Sequence, residues 1–132
     1  MKLREVFAVA GIIEHENEIL CAQRKNYGNP CTALKWEFPG GKIEEGETKE
    51  QALKREIEEE LNMEITIKNH FIDIRYAYPD FVLNMSCYKC ETKTKNLSLN
   101  VHNDYKWLTK SSLPSLDWAP ADIPIVEKLL NE

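Results

Sequence analysis

The sequence predicts a layered α/β or α+β domain. Three observations carry that reading: β-rich apolar runs bounded by turn residues, one long amphipathic helix near the middle, and a second helix at the C-terminal end. A length of 132 residues fits one domain, 1–132, with a single core. No internal repeat or low-complexity linker divides it.

Taken in order, residues 5–13 (EVFAVAGII) form an apolar strand, 14–17 a polar turn, and 18–24 a returning strand, the pattern of a β-hairpin. Residues 25–34, with Gly28, Asn29 and Pro30, read as a surface loop, and loops held by rigid strands often line sites. Residues 35–38 are a short strand stopped by Pro39, after which Gly40 and Gly41 allow a tight turn and close backbone approach. Thr48 to Gln51 fits a capping box, so a helix opens near Thr48 and ends at Asn62. Residues 64–68, 70–78 and 81–91 read as three strands, the last two around Pro79 and Asp80. Residues 93–103 are a polar loop and 105–108 a short strand. Residues 111–120 connect to a helix over 121–130, with Pro124 in its first turn.

The formal net charge of -5 argues against a general nucleic-acid-binding surface, which is normally basic. An anionic small molecule would need a metal and a few local cations instead. No stretch is long enough to span a membrane, and the opening apolar run reads as a strand rather than a signal peptide. Cys21 and Cys31 are isolated. Cys87 and Cys90 form a C-x-x-C inside a strand-like run, which points them to opposite faces, so structural thiols fit better than a metal or redox site. With no secretion signal, reduced thiols and a cytoplasmic location are expected.

The helix carries the chemistry. Leu53, Ile57 and Leu61 fall at i, i+4, i+8 and make its buried stripe. Glu56, Glu59 and Glu60 share another face, where each like-charged pair costs roughly 0.2–0.5 kcal/mol. They also sit at the negative end of the helix dipole. A divalent cation would remove both penalties, and carboxylates suit hard Mg²⁺ or Mn²⁺. A solvated acidic face with ion pairs Glu50–Lys54, Lys54–Glu58 and Arg55–Glu59 is the alternative.

Residues 41–63 as a whole resemble the Nudix box, with Gly41, Glu47, Arg55, Glu56, Ile57, Glu59, Glu60 and Met63 in register. The one departure is Asn62, where the family usually has glycine, and Asn is the next-best residue for a left-handed backbone. The resemblance implies a Nudix-type α/β/α sandwich with a mixed β-sheet and the box helix packed on one side. It implies hydrolysis of a nucleoside diphosphate linked to another group. It also implies catalytic carboxylates at Glu56, Glu59 and Glu60, which hold the metal with the Gly40 carbonyl, and a structural role for Gly41, Glu47 and Arg55. Residues 36–42 (WEFPGGK), the strand pair around Pro79, and the tail 119–124 (APADIP) look MutT-like, the tail resembling CTP pyrophosphohydrolases.

That similarity implies an enzyme that turns an NTP or dNTP, such as CTP, dCTP or 8-oxo-dGTP, into the monophosphate and pyrophosphate. Substrate contacts are then expected at Arg24, Glu37, Phe38, Pro39, Gly40, Tyr78 and Asp122. Phe38, Tyr78 and Phe81 are candidates to stack on the base, although core packing is the better reading of Tyr78 and Phe81. Asp122 either reads the base as an ionised acceptor or caps the last helix. The acid that MutT-like proteins carry before the late strand is replaced by Val101, with His102 and Asp104 nearby in the same loop. Another nucleoside diphosphate derivative (ADP-ribose, a nucleotide sugar, a dinucleoside polyphosphate) and a non-catalytic nucleotide-binding module are the alternatives. The oligomeric state is not legible.

Overall fold

In the computed structural model, which describes residues 2–132, the apolar run near the N-terminus becomes the central strand of a seven-stranded sheet. The strands are β1 (Arg4–His15), β2 (Glu18–Gln23), β3 (Trp36–Glu37), β4 (Gly40–Lys42), β5 (Thr66–Ala77), β6 (Phe81–Glu91) and β7 (Asp104–Thr109). Two helices accompany them, α1 (Lys49–Leu61) and α2 (Ile123–Leu130). The main path runs β3-β2-β1-β6-β5, with β4 added to β1 and β7 to β2. β1 and β6 are parallel, from Arg4 opposite Phe81 to Glu14 opposite Glu91, and the other pairs are antiparallel. The sheet is therefore mixed.

Period-two alternation builds the two layers. Ala8, Ala10 and Ile12 of β1 join a core with Leu113, Ile125 and Leu129, beneath α2. Val9 and Ile13 point the other way and pack with Leu53, Ile57 and Leu61 of α1. Cys87 belongs to the first core and Cys90 to the second, so the C-x-x-C straddles the sheet. The result is a helix on each face, an α/β/α sandwich.

Local chemistry sets α1. Thr48 accepts from the Gln51 N–H while the Gln51 side chain accepts from the Thr48 N–H, a complete capping box. The helix stops at Asn62, left-handed at φ 54° and ψ 42°. Glu16 and Asn17 both have positive φ (48° and 68°), which gives the tight β1–β2 turn its primed geometry. That hairpin pairs only Glu14 with Ile19 and His15 with Glu18. β2 then leaves β1 and runs between β3 and β7.

Three expectations are corrected. Gly40 and Gly41 are not a turn but the start of β4; the tight turn lies later, where Gly46 has φ 85°. The close approach is real: a Cβ on Gly40 would meet the Val9 carbonyl at 1.9 Å. Residues 64–78 are not two strands but the single β5, whose register shifts at Ile67/Asn69 and His70/Ile72 absorb the polar interruption. The final helix begins at Ile123, after a separate 3₁₀ turn over Pro120–Asp122.

Among the described residues no helix is long and apolar enough to cross a membrane. Cys21, Cys87 and Cys90 are buried, and burial pushes Cys21 and Cys90 up to about 12 and Cys87 higher still. Cys31 is partly exposed. A thiol-reactive dye at neutral pH should therefore label Cys31 rapidly and the other three only after denaturation. Rapid labelling of two or more thiols in the native protein would contradict this packing.

Candidate active site

Arg55 gathers the acidic residues of the box. Its Nε and Nη2 donate to the two carboxylate oxygens of Glu47 at 2.6 and 2.9 Å, a bidentate fork. Nη1 donates to Glu56 at 2.8 Å and to Glu59 at 3.2 Å, and Nη2 also reaches the Lys42 carbonyl at 3.1 Å. Hydrogen bonding to Arg55 pulls Glu47 down to about 2, and the same bonds push Arg55 further up. Of the three ion pairs that spacing permits along α1, only Arg55–Glu59 forms among the described residues. The rest of the acidic face is not neutralised by lysines of its own helix.

Glu56 and Glu60 turn toward β4. Gly41 makes room, since a Cβ there would sit 2.3 Å from a Glu56 carboxylate oxygen. The ladder bonds Gly11 N–H to Pro39 and Ile43 N–H to Phe7 fix the phase of the β1–β4 pairing. In that phase Gly40 falls at a position whose own N–H and C=O point away from β1. Glu60 has one carboxylate oxygen, Oε1, buried without a partner. Burial, then the charges of Glu37 and Glu56, raise Glu60 to about 9. An orphaned carboxylate oxygen beside other acids fits a cation, so the residues present suit a divalent metal. Glu59 is the outlier: it is exposed and engaged by Arg55. Among the described residues no three His, Cys, Asp or Glu side chains converge as a ready-made metal cage.

β2 and β3 supply the middle of the site. Ala22 lies opposite Glu37, so Arg24, two residues on, falls on the same face. Arg24 Nη1 donates to Glu37 at 3.2 Å, and Glu37's other oxygen lies 2.9 Å from His102 Nε2. The loop before β7 delivers His102, anchored by Asn103 N–H to the Gln23 carbonyl at 2.9 Å.

The segment before α2 supplies the far end. Trp36 and Trp118 form a bridge, and Ala119 N–H bonds the Trp36 carbonyl at 2.8 Å. This places Asp122 where its side chain accepts the Phe38 N–H at 2.9 Å. Asp122 makes no capping bond to α2, so the helix-cap expectation is corrected: a partner from β3's end takes the carboxylate instead. Burial, then the charge of Glu37, raises Asp122 well above the usual carboxylate range. The neutral acid this favours donates as well as accepts, unlike the ionised acceptor expected from sequence. Tyr78 stacks with Phe81 at 5.1 Å and its hydroxyl accepts from the Ala121 N–H.

These elements enclose a cleft of about 580 Å³. Arg24, Glu37, Phe38, Gly40, Gly41, Glu56, Glu60, Tyr78 and Asp122 all line it. Pro39 does not: it is fully buried, its carbonyl held by Gly11. Glu47, Arg55 and Glu59 stand beside the cleft rather than in its lining. The Phe38 ring is buried against Trp118 at 4.7 Å, so its N–H is what it gives the site. Val101 lines the cleft but is an exposed hydrocarbon, and Asp104 turns to the Tyr105 N–H on β7. Sequence reasoning left out Lys25, Tyr27, Lys42, Leu83 and Met85, which also line it. The loop over 25–34, with Gly28, Asn29 and Pro30, was a signal for the first two; the others depend on strand register.

Residues 8–128 match the Nudix domain family model. Among relatives, the CTP pyrophosphohydrolase of Escherichia coli K12 is 33% identical over 130 residues, 98% of this chain and 93% of that protein. The 8-oxo-dGTP diphosphatase of Haemophilus influenzae is 30% identical over 133 residues, 100% of this chain and 96% of that protein. The solution NMR structure of MutT, a Nudix-family hydrolase from methicillin-resistant Staphylococcus aureus 252, superimposes with a TM-score of 0.78 at 37% identity. That match covers 98% of each chain.

Two outcomes follow from the Arg55 network. Arg55→Lys keeps the charge but loses the fork, and steady-state turnover should fall roughly 10–100-fold. The depressed Glu47 carboxyl contributes stability that is full above its ordinary value of 4.5 and is lost as pH falls through about 2. Urea midpoints of Glu47→Gln should therefore fall less steeply than the parent's across that window, and parallel curves would refute the contact.

Proposed function

The chain belongs to the Nudix hydrolase family, and on that premise we propose that it is a divalent-metal-dependent nucleoside triphosphate pyrophosphohydrolase, one domain over residues 1–132. The observation that carries this reading is a single cleft lined at once by the box carboxylates Glu56 and Glu60 and by Tyr78, Phe81 and Asp122. One set suits a polyphosphate chain with its cations. The other suits a base, with aromatic faces to stack on and a polar group to read its edge.

Glu56, Glu60 and the Gly40 carbonyl would hold Mg²⁺ or Mn²⁺, with Glu59 as the further carboxylate of the box. A bound ion supplies neutralisation of phosphate charge and a lowered pKa for water. Glu56 takes the proton from the attacking water, as general base. The water oxygen forms a new bond to phosphorus, the α–β anhydride P–O bond breaks, and the products are the nucleoside monophosphate and pyrophosphate. Arg55 keeps Glu56 aimed at the cleft, and Arg24 offers a cation to the phosphates. At the far end, burial shifts Asp122 toward its neutral form, which presents a donor beside an acceptor. Cytosine and 8-oxoguanine both present complementary pairs, which agrees with the activities named for the relatives.

The test is turnover of CTP, dCTP, dGTP, 8-oxo-dGTP, UTP and ADP-ribose with Mg²⁺ or Mn²⁺, with pyrophosphate scored separately from phosphate. Pyrophosphate should come from CTP, dCTP or 8-oxo-dGTP, and Glu60→Gln should lose at least about 100-fold in kcat. Turnover of ADP-ribose alone would overturn the substrate class, and metal-independent turnover would overturn the chemistry.

A further inference from the structure

His102 is only 6% exposed, and its one hydrogen-bond partner among the described residues is Glu37, 2.9 Å from Nε2. A carboxylate only accepts, so the ring donates from Nε2 to Glu37. Nδ1 is buried without a partner. A histidine serving the core alone would have both nitrogens satisfied, because an unpaired buried polar atom is costly. This one lines the cleft.

Its grip on Glu37 matters because of where Glu37 sits. One carboxylate oxygen is bound by Arg24 from the end of β2, the other by His102 from the loop before β7. β2 runs between β3 and β7, so both donors come from the same side of β3, Arg24 from the adjacent strand and His102 from beyond it, and each takes its own carboxylate oxygen. A carboxylate held at each oxygen cannot turn without losing both bonds. Glu37 is also the strongest charged neighbour of both Glu60 and Asp122. All three carboxyl groups line the same cleft. Arg24, pinned by Glu37, keeps its Nε buried and unpartnered beside the same cleft. Neighbouring loop residues cannot replace His102: Val101 has no polar atom, and Asp104 is committed to β7.

We propose that His102 is a positioning residue, which fixes the Glu37 carboxylate and through it Arg24 for a nucleotide in the cleft. This rests on the nucleotide-hydrolase reading above. His102 takes no part in bond breaking; it decides the orientation of a group that meets the substrate.

The experiment is a double-mutant cycle with the metal-loaded protein and the best nucleotide of the panel. His102→Leu should lower kcat/KM roughly 10–100-fold, mainly through KM, as removal of a supporting hydrogen bond does. His102→Gln, which keeps an N–H near the Nε2 position, should restore most of it. In a Glu37→Ala background, His102→Leu should add no further loss. Equal losses in both backgrounds, or a Gln variant as impaired as Leu with an unchanged melting temperature, would overturn the proposal. Should the Leu variant fail to fold, ¹⁵N spectra of histidine-labelled protein decide the matter: the His102 ring should be the Nε2–H tautomer in the parent and a mixture in Glu37→Ala. A tautomer indifferent to Glu37 would overturn it. If the parent turns over no nucleotide, the functional reading fails while the ring spectra still judge the linkage.

Discussion

Arg55 is the cation on which the acidic half of the site depends. Box glutamates crowd the last turns of α1, where the helix dipole disfavours them. A half-buried guanidinium answers that with geometry as well as charge. It ties the residue before the helix (Glu47), two residues on it (Glu56 and Glu59) and the backbone of β4 (Lys42) into one body. Five N–H donors in a fixed plane allow this, and an ammonium would not. The glycine at 41 is the matching condition on the strand, because any side chain there would displace the Glu56 carboxylate.

The other half turns on Glu37. It has no neighbour in sequence that explains it, yet Arg24, His102, Glu60 and Asp122 all feel it. One carboxylate thus connects two ends of a cleft built from segments far apart in the chain. After burial itself, it is what most raises Asp122 above the usual carboxylate range. It also adds to the field around Glu60, which a cation would relieve.

What could be read from the sequence was what local chemistry decides. The capping box at Thr48 and Gln51, the left-handed stop at Asn62 and the stripe of Leu53, Ile57 and Leu61 all depend on residues a few positions apart. The opposite faces of Cys87 and Cys90 follow from strand periodicity alone. What was not legible depends on register between distant segments. Asp122 reads as a base reader or a helix cap alike until the Trp36–Trp118 bridge brings the Phe38 N–H to it. Val101 draws attention as a missing acid, while the polar residue that reaches the cleft is its neighbour His102. The polar run at 68–70 reads as a break between strands because bulges, which keep β5 continuous, leave no composition signal beyond lost alternation.

The parallel pairing of β1 with β6 sets an order of events during synthesis. β1 leaves the ribosome first, but its long partner begins only at Phe81. Until then the most apolar strand has β2 along two residue pairs and β4 along three to shield it. The box helix is complete by Leu61, so it waits on a half-built platform. Contacts this distant in sequence close slowly and leave an edge open meanwhile. The box helix is thus ready early and becomes seated late, and a nascent chain stalled before β6 would expose an apolar strand suited to chaperones or to self-association.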